Sequence, residues 1–272
     1  MQGIEVHRWI ALFDSGIGGL SVWREIARLL PEQSLLYLAD QAHCPYGSRP
    51  LKEIRHLARA VTAWLVDQGA CLIVVACNTA SAAALYDLRE HFSVPIVGME
   101  PAVKPAVQRT RSGKVGVLAT PATFQGELYA RLLARYAHNV EVIAQPCAGW
   151  VEWVEAGCLD DPATAELVER YVRPLRAAGV DELVLGCTHY PFLRPWIERA
   201  AGPAVEVVDP APAVARQVQR IWLETIAPIA STSKAYRFVT TGDAERFQAQ
   251  VQRWIGWRGA VEVAHWQSGQ LI

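Results

Sequence analysis

No stretch of the 272-residue chain is apolar for long enough to cross a bilayer as a helix. The opening residues, MQGIEVHRWIALFDSG, lack an apolar core followed by a cleavage site and run straight into a strand-like segment. The expectation is a soluble, cytoplasmic protein with no membrane partner. Charge of one sign is also lacking. The net charge is −1, and basic clusters such as RHLAR and RTRSGK read as solvated helix faces, so no nucleic-acid footprint is expected. No C-x-x-C pair occurs, which removes the usual spacing of zinc sites and redox dithiols. The six cysteines, Cys44, Cys71, Cys77, Cys147, Cys158 and Cys187, are therefore read as reduced thiols. Neither G-x-G-x-x-G nor a P-loop is present, so a nucleotide-binding reading is weak. There is no low-complexity tract. Only four lysines occur (Lys52, Lys104, Lys114, Lys234), none at a strand tip, which argues weakly against pyridoxal phosphate held as a Schiff base.

What is present is an alternation. Hydrophobic content of 51% with 19% charged residues suits a folded enzyme. Short β-rich apolar runs stand at 9–13, 35–39, 71–76, 94–98, 115–119, 140–144, 182–186, 205–209, 236–240 and 260–265. Helix-like stretches separate them. In PLKEIRHLARAVTAWLVDQG the apolar residues recur at helical spacing, with Pro50 at the start and Gly69 just past the end. Continuous apolar strands between helices predict an α/β fold with mainly parallel sheet covered on both faces. The segment 226–234 is the best linker candidate and reads as a surface loop.

Two strand ends have unusual chemistry. VVACNTAS (74–81) leaves its apolar run through Cys77, Asn78 and Thr79; LVLGCTHYP (183–191) does the same through Cys187, Thr188 and His189. ALFDSG and VVACNTA in the first half correspond to GVLATPA and LVLGCTH in the second, and Asp14 to Cys77 is spaced much as Thr120 to Cys187. Two similar α/β halves would each carry polar groups at strand C-terminal ends, where ligands bind in such sheets. If the halves face each other, both cysteine tips meet in one cleft.

For an arbitrary cysteine the bland reading is a small buried hydrophobe, and Cys71 fits it. Cys77 differs, because a thiol at a helix start is expected to have a lowered pKa. Asn78, Thr79 and the free N–H groups there suit a carboxylate. Four chemistries compete for the pair. One cysteine could be a nucleophile with His189 as base, which leaves the other idle. Cys77, Cys187 and His189 could hold zinc, but the ligand count is short. A redox dithiol lacks its spacing. Two thiols acting on opposite faces of one carbon, one removing and one returning a proton, uses both and ranks first. FDSGIGG adds Asp14 and Ser15 before a tight turn; HCPYGSRP adds Tyr46, Gly47 and Ser48, with Arg49 as a possible anion contact. Cys44, with Pro45 and Pro50 close after it, is expected in an irregular loop without activation.

These residues together resemble the glutamate racemases, cofactor-independent enzymes of the Asp/Glu racemase superfamily. The matching pieces run nearly end to end: LFDSGIGGLSV, PYG (45–47), VVACNTAS, GVLAT (116–120), VEAG (154–157), LVLGCTHYP, VVDPA (207–211) and TTGD (240–243). The resemblance implies two pseudo-symmetric α/β domains, 1–98 plus 210–272 and 99–209, with the active site between them. It implies Cys77 and Cys187 as the acid–base thiols, Asp14 partnering the first, and His189 and Glu155 supporting the second. Asp14, Ser15, Pro45, Tyr46, Gly47, Asn78, Thr79, Thr120, Thr123, Thr188 and His189 would bind substrate. No cofactor and no metal are expected; the partner is glutamate, the product D-glutamate serves peptidoglycan synthesis, and the expected assembly is a homodimer. Glu152 and Glu155 share a helix face, and only VEAG selects Glu155. Two positions depart from the family pattern: Ala148 replaces a common Pro, and Ala122 a common Gly in the turn before Thr123. Aspartate racemases typically carry Glu where His189 stands, which favours glutamate. The alternatives are another amino-acid racemase of the superfamily or a non-catalytic module binding acidic amino acids.

Overall fold

The computed structural model describes residues 8–226 and 234–272. The linker candidate at 226–234 falls almost wholly outside them. All ten expected strands form. The first sheet contains β1 (Trp9–Asp14), β2 (Leu35–Ala39), β3 (Ala70–Val75), β4 (Ile96–Gly98), β9 (Tyr236–Thr240) and β10 (Glu262–Val263); the second contains β5 (Lys114–Ala119), β6 (Glu141–Pro146), β7 (Glu182–Gly186) and β8 (Glu206–Val208). Every pairing within these two sheets is parallel. The reason lies in the strands themselves. β1, β2 and β7 are buried at every position, as a sheet covered on both faces requires.

The strand orders explain the internal repeat. The first sheet runs β10-β9-β2-β1-β3-β4 and the second β6-β5-β7-β8. The block β2-β1-β3-β4 therefore recurs as β6-β5-β7-β8, with β1 equivalent to β5 and β3 to β7. In both, the order reverses at the central strand, and a crevice opens beyond the C-terminal ends. Asp14 ends β1, and Thr120 directly follows β5. Cys77 follows β3 after one intervening residue, and Cys187 directly follows β7.

Alternation divides the core. Ile10, Leu12, Tyr37, Leu72 and Val74 face a core shared with Leu118, Leu183 and Leu185 of the second sheet. Ala11, Phe13, Leu36, Ile73 and Val75 face α2 (Leu51–Asp67) and α3 (Asn78–His91) on the other side. A third cluster, with Val115, Val117 and Val184, lies under α4 (Val103–Arg109) and α6 (Glu127–Tyr136). The small residues of α3 now have a purpose. Asn78 to Leu85 are all buried, and the helix packs on α5 (Pro121–Gln125) and α6 of the other half. One element escapes the sequence reading: a hairpin of β11 (Trp266–Gln267) and β12 (Gln270–Leu271), turned by Ser268 and Gly269 at φ 49° and 79°. Its strands are too short to show a period, although Ser-Gly is a turn signal.

Candidate active site

The tips of the two sheets meet. Thr188 Oγ1, beyond β7, donates to Asp14 Oδ2 at the end of β1 (2.8 Å), while Gly16 N–H donates to Oδ1 (2.9 Å). Ser15 Oγ lies farther from Oδ1, at 3.4 Å. Ser21 Oγ, in α1 (Leu20–Leu29), reaches back to the Thr188 carbonyl at 3.3 Å. Close approach is built into the turn after β1: a Cβ on Gly18 would stand 2.5 Å from both His189 Nδ1 and Thr188 Oγ1.

A chain of contacts runs from the second thiol. His189 Nδ1 stands 3.8 Å from Cys187 Sγ, and Nε2 stands 2.7 Å from Glu155 Oε1. The same oxygen accepts from Ile17 N–H (2.7 Å), and Oε2 accepts from Gln41 Nε2 (3.0 Å). Glu155 ends the short helix α7 (Trp150–Glu155), buried, whereas Glu152 is exposed. That separates the two acids, which helical spacing alone could not do.

Around the first thiol, Cys77 caps α3 and accepts from Ala80 N–H at 3.4 Å. Thr79, Thr120 and Thr123 form a triangle of hydroxyls with separations of 2.9, 2.9 and 3.2 Å, joining the two halves. Thr120 caps α5, and Ala122 is buried in that turn. Asn78 is buried, yet neither its side-chain oxygen nor its nitrogen has a hydrogen-bond partner. Native proteins satisfy nearly all such groups with protein, water or a bound molecule, so this amide is free of protein partners to meet a ligand.

Other expected residues behave differently. The Tyr46 hydroxyl turns away to Asp40 Oδ2 (2.7 Å), which leaves backbone as that residue's route to a ligand. Gly47 lies against Thr120, and Pro45 precedes it in the same turn. Arg49 is not available as an anion contact; it bonds the His43 carbonyl and Glu53. Cys187 does not start an α-helix as Cys77 does. A 3-10 turn, Tyr190–Leu193, intervenes before α9 (Arg194–Ala201).

The electrostatics correct one expectation. Burial pushes the Cys77 thiol well above its ordinary pKa, and the Asp14 charge adds to the shift; the Ala80 N–H opposes it and is outweighed. The helix start therefore does not activate this thiol in the free protein. Burial likewise raises Asp14, held back by His189, Gly16 N–H and Thr188. For His189, burial opposes the charge, but contacts with Cys187, Cys44 and Glu155 outweigh it and raise the imidazole well above its usual value. For Glu155, burial raises and the bonds from His189, Ile17 and Gln41 lower, with a net lowering.

Four neighbours of this network were not expected. Gln41, Arg246 and Gln250 surround Glu155: Arg246 and Gln250, from α11 (Ala244–Ile255), donate to its backbone carbonyl at 2.7 and 2.8 Å. Thr240 Oγ1 donates to Gln41 Oε1 at 2.9 Å. The only sequence signal was TTGD, matched without an assigned role. Cys44 is the fourth: its thiol lies within 4.8 Å of Glu155 and His189 ligand atoms.

Residues 17–218 match the family model of the Asp/Glu/Hydantoin racemases. A glutamate racemase of Roseiflexus is 55% identical over 249 residues, covering 90% of this chain and 92% of its own. The chain belongs to the glutamate racemases. Solved structures agree. A glutamate racemase of Bacillus anthracis superposes with a TM-score of 0.87 at 32% identity, covering 97% of this racemase and 99% of the other. The Escherichia coli glutamate racemase, solved with L-glutamate and the activator UDP-MurNAc-Ala, gives 0.86 at 33%, covering 98% and 99%.

Proposed function

We propose that Cys77 and Cys187 interconvert L- and D-glutamate by working on opposite faces of its α-carbon. The observation that carries this reading is their equivalence: each thiol follows the third strand of the same four-strand block. In either direction one cysteine, as thiolate, takes the α-proton and becomes a thiol. The other, as thiol, returns a proton to the opposite face and becomes the thiolate. The enzyme is left in the protonation form that acts on the opposite enantiomer; a second turnover in the same direction follows once one thiol has lost and the other regained a proton, and no net proton is consumed.

The demands on the site are severe, because a thiol with an ordinary pKa of about 8.5 is a far stronger acid than the α-C–H. The site must stabilise charge developing on the α-carboxylate and exclude water. Asn78, Thr79, Thr120 and Thr123 are proposed as carboxylate donors, supported by the unsatisfied Asn78 amide and the clustered hydroxyls. Thr188, Ser15 and the Pro45–Gly47 turn complete the pocket. Asp14 is proposed to hold the substrate ammonium beside Cys77, whose raised pKa a nearby cation would relieve. His189 carries a proton for Cys187, and Glu155 stabilises the imidazolium.

The division into 1–98 with 210–272 and 99–209 belongs to the same proposal; its support is sheet membership, since β9 and β10 join the first sheet and β5–β8 form the second. A cytoplasmic location is supported by the six unpaired cysteines. No helix among the described residues is long and apolar enough to cross a membrane. A homodimer is proposed too, with exposed Tyr86, Leu223 and Val263 as apolar contact material; sedimentation velocity tests it. The test of the reaction is an amino-acid panel in D₂O, scored for α-deuterium and chirality. Glutamate is expected to racemise with deuterium incorporation. Binding without exchange overturns the reading.

A further inference from the structure

The contact of Cys44 with His189 and Glu155 is left unused by the proton-transfer scheme. Its thiol, the Glu155 carboxylate and a His189 ring nitrogen form a group whose ligand atoms all lie within 4.8 Å of one another. They come from separate places in the chain: the loop after β2, the end of α7 and the tip of β7. We propose that Cys44, Glu155 and His189 form a site for a zinc-like divalent ion, and that filling it stops racemisation.

The donor set fits such an ion. Zinc takes thiolate sulfur at about 2.3 Å and imidazole nitrogen or carboxylate oxygen at about 2.0–2.2 Å, so its ligands sit roughly 3–4 Å apart in a tetrahedron. His189 Nε2 and Glu155 Oε1, now 2.7 Å apart, need to open by only a few tenths of an ångström. The ion replaces the proton between them, and Cys44 gives up its own proton to water. One thiolate, one carboxylate and a neutral imidazole around a dication leave no net charge, which removes the main penalty of burial. The ligands are already oriented from behind: Ile17 N–H and Gln41 Nε2 hold the carboxylate, and Cys187 faces the other ring nitrogen. An entry path exists. A cavity of about 270 Å³, lined by Gln41, Cys44, Pro45, Glu155, Gly242 and Arg246, reaches Cys44 and Glu155 from the exposed side of α11, and leaves room for a water as fourth ligand. Hard ions such as Mg²⁺ are poorly suited to this set. The inhibitory effect rests on the proposed role of His189, because an imidazole metallated at Nε2 keeps a single proton on Nδ1, gives it up only as an imidazolate, and so no longer takes and returns a proton for Cys187.

The test is titration of the full-length protein with Co²⁺ and Zn²⁺, read by the thiolate-to-cobalt charge-transfer absorption and by calorimetry. The wild type and a Cys77→Ser/Cys187→Ser double variant are expected to bind one ion with that absorption. Cys44→Ser and Cys44→Ala should lose the band and bind at least about tenfold more weakly. A band that survives in Cys44→Ser, or vanishes in the double variant, overturns the site. Should the Cys44 variants fold poorly by circular dichroism, crystals of the wild type soaked in Zn²⁺ decide: an anomalous peak within bonding distance of Cys44 Sγ is expected, and a peak at Cys77 or Cys187 alone overturns it. In turnover assays Zn²⁺ should inhibit the wild type, and Cys44→Ser should stay active with inhibition shifted at least about tenfold upward in concentration. Equal inhibition of both, or a filled site without inhibition, overturns the proposal. The binding readouts do not use turnover, so they stand apart from any failure of the racemase mechanism.

Discussion

Thr188 Oγ1 donates to Asp14 Oδ2 at 2.8 Å, and this buried bond joins the tip of one sheet to the tip of the other. It places the loop carrying Cys187 beside the strand that borders Cys77. Thr188→Val deletes the donor and keeps the shape. The buried carboxylate oxygen then lacks its partner, and unfolding free energy should fall by about 1–3 kcal/mol at neutral pH. Misplacement of the tips should lower kcat by up to about 100-fold. Urea unfolding with steady-state kinetics checks both; an active variant of unchanged stability contradicts the coupling.

The two-thiol scheme makes its sharpest demand on the cysteines. Cys77→Ala and Cys187→Ala should each lose racemisation by about 10³-fold or more, since proton transfer by a placed group is commonly worth 10²–10⁴. The Cys→Ser variants should still exchange or eliminate from one enantiomer only. NMR in D₂O with each pure enantiomer reads this out. Full activity in either alanine variant rules the scheme out.

Glu155 and His189 predict a pH dependence of stability. Glu155 has a folded pKa below its ordinary 4.5, so its contribution is present above that value and lost as pH falls through the folded pKa. His189 has a folded pKa above its ordinary 6.5, so its contribution is present below that value and lost as pH rises through the folded one. Both are complete between these ordinary values. Glu155→Gln should therefore destabilise most in that window and less toward either extreme. Denaturation midpoints across pH test the shape; a constant difference refutes it. The variant should also lower the upper limb of the activity profile.

Asn78 should show opposite effects on stability and function. Its side-chain amide is buried and makes no hydrogen bond to another protein group. Asn78→Leu has similar shape and no such group. It should leave the free enzyme as stable as before or more so, and raise KM for glutamate about tenfold through loss of a bond to a charged carboxylate. A destabilised variant with unchanged KM would assign the amide a structural role instead.

Much of this protein was legible along the chain. The ten strands show because a parallel strand buried on both faces must be apolar throughout, a local property. Cys77, Cys187, Asp14 and Thr120 show because polar residues at the end of such a strand need a reason to be there. Helical periodicity marked α2, and repetition of tips marked the duplicated strand order. The hairpin at Trp266–Leu271 did not show, since two-residue strands have no period.

Three-dimensional packing decided the rest. Glu152 and Glu155 are equivalent by spacing, and only the contacts of α7 bury the second against His189. Cys44 reads as an idle loop cysteine until the chain brings it to two residues more than 100 positions away. Gln41, Arg246 and Gln250 carry no local signal, because their partner lies on a distant helix. The pKa of Cys77 reversed for the same reason: a helix start is visible in sequence and favours the thiolate, but desolvation and the Asp14 charge depend on what surrounds the sulfur. Local order follows from side-chain pattern, whereas the field at a reacting atom is summed over neighbours that only the tertiary structure supplies.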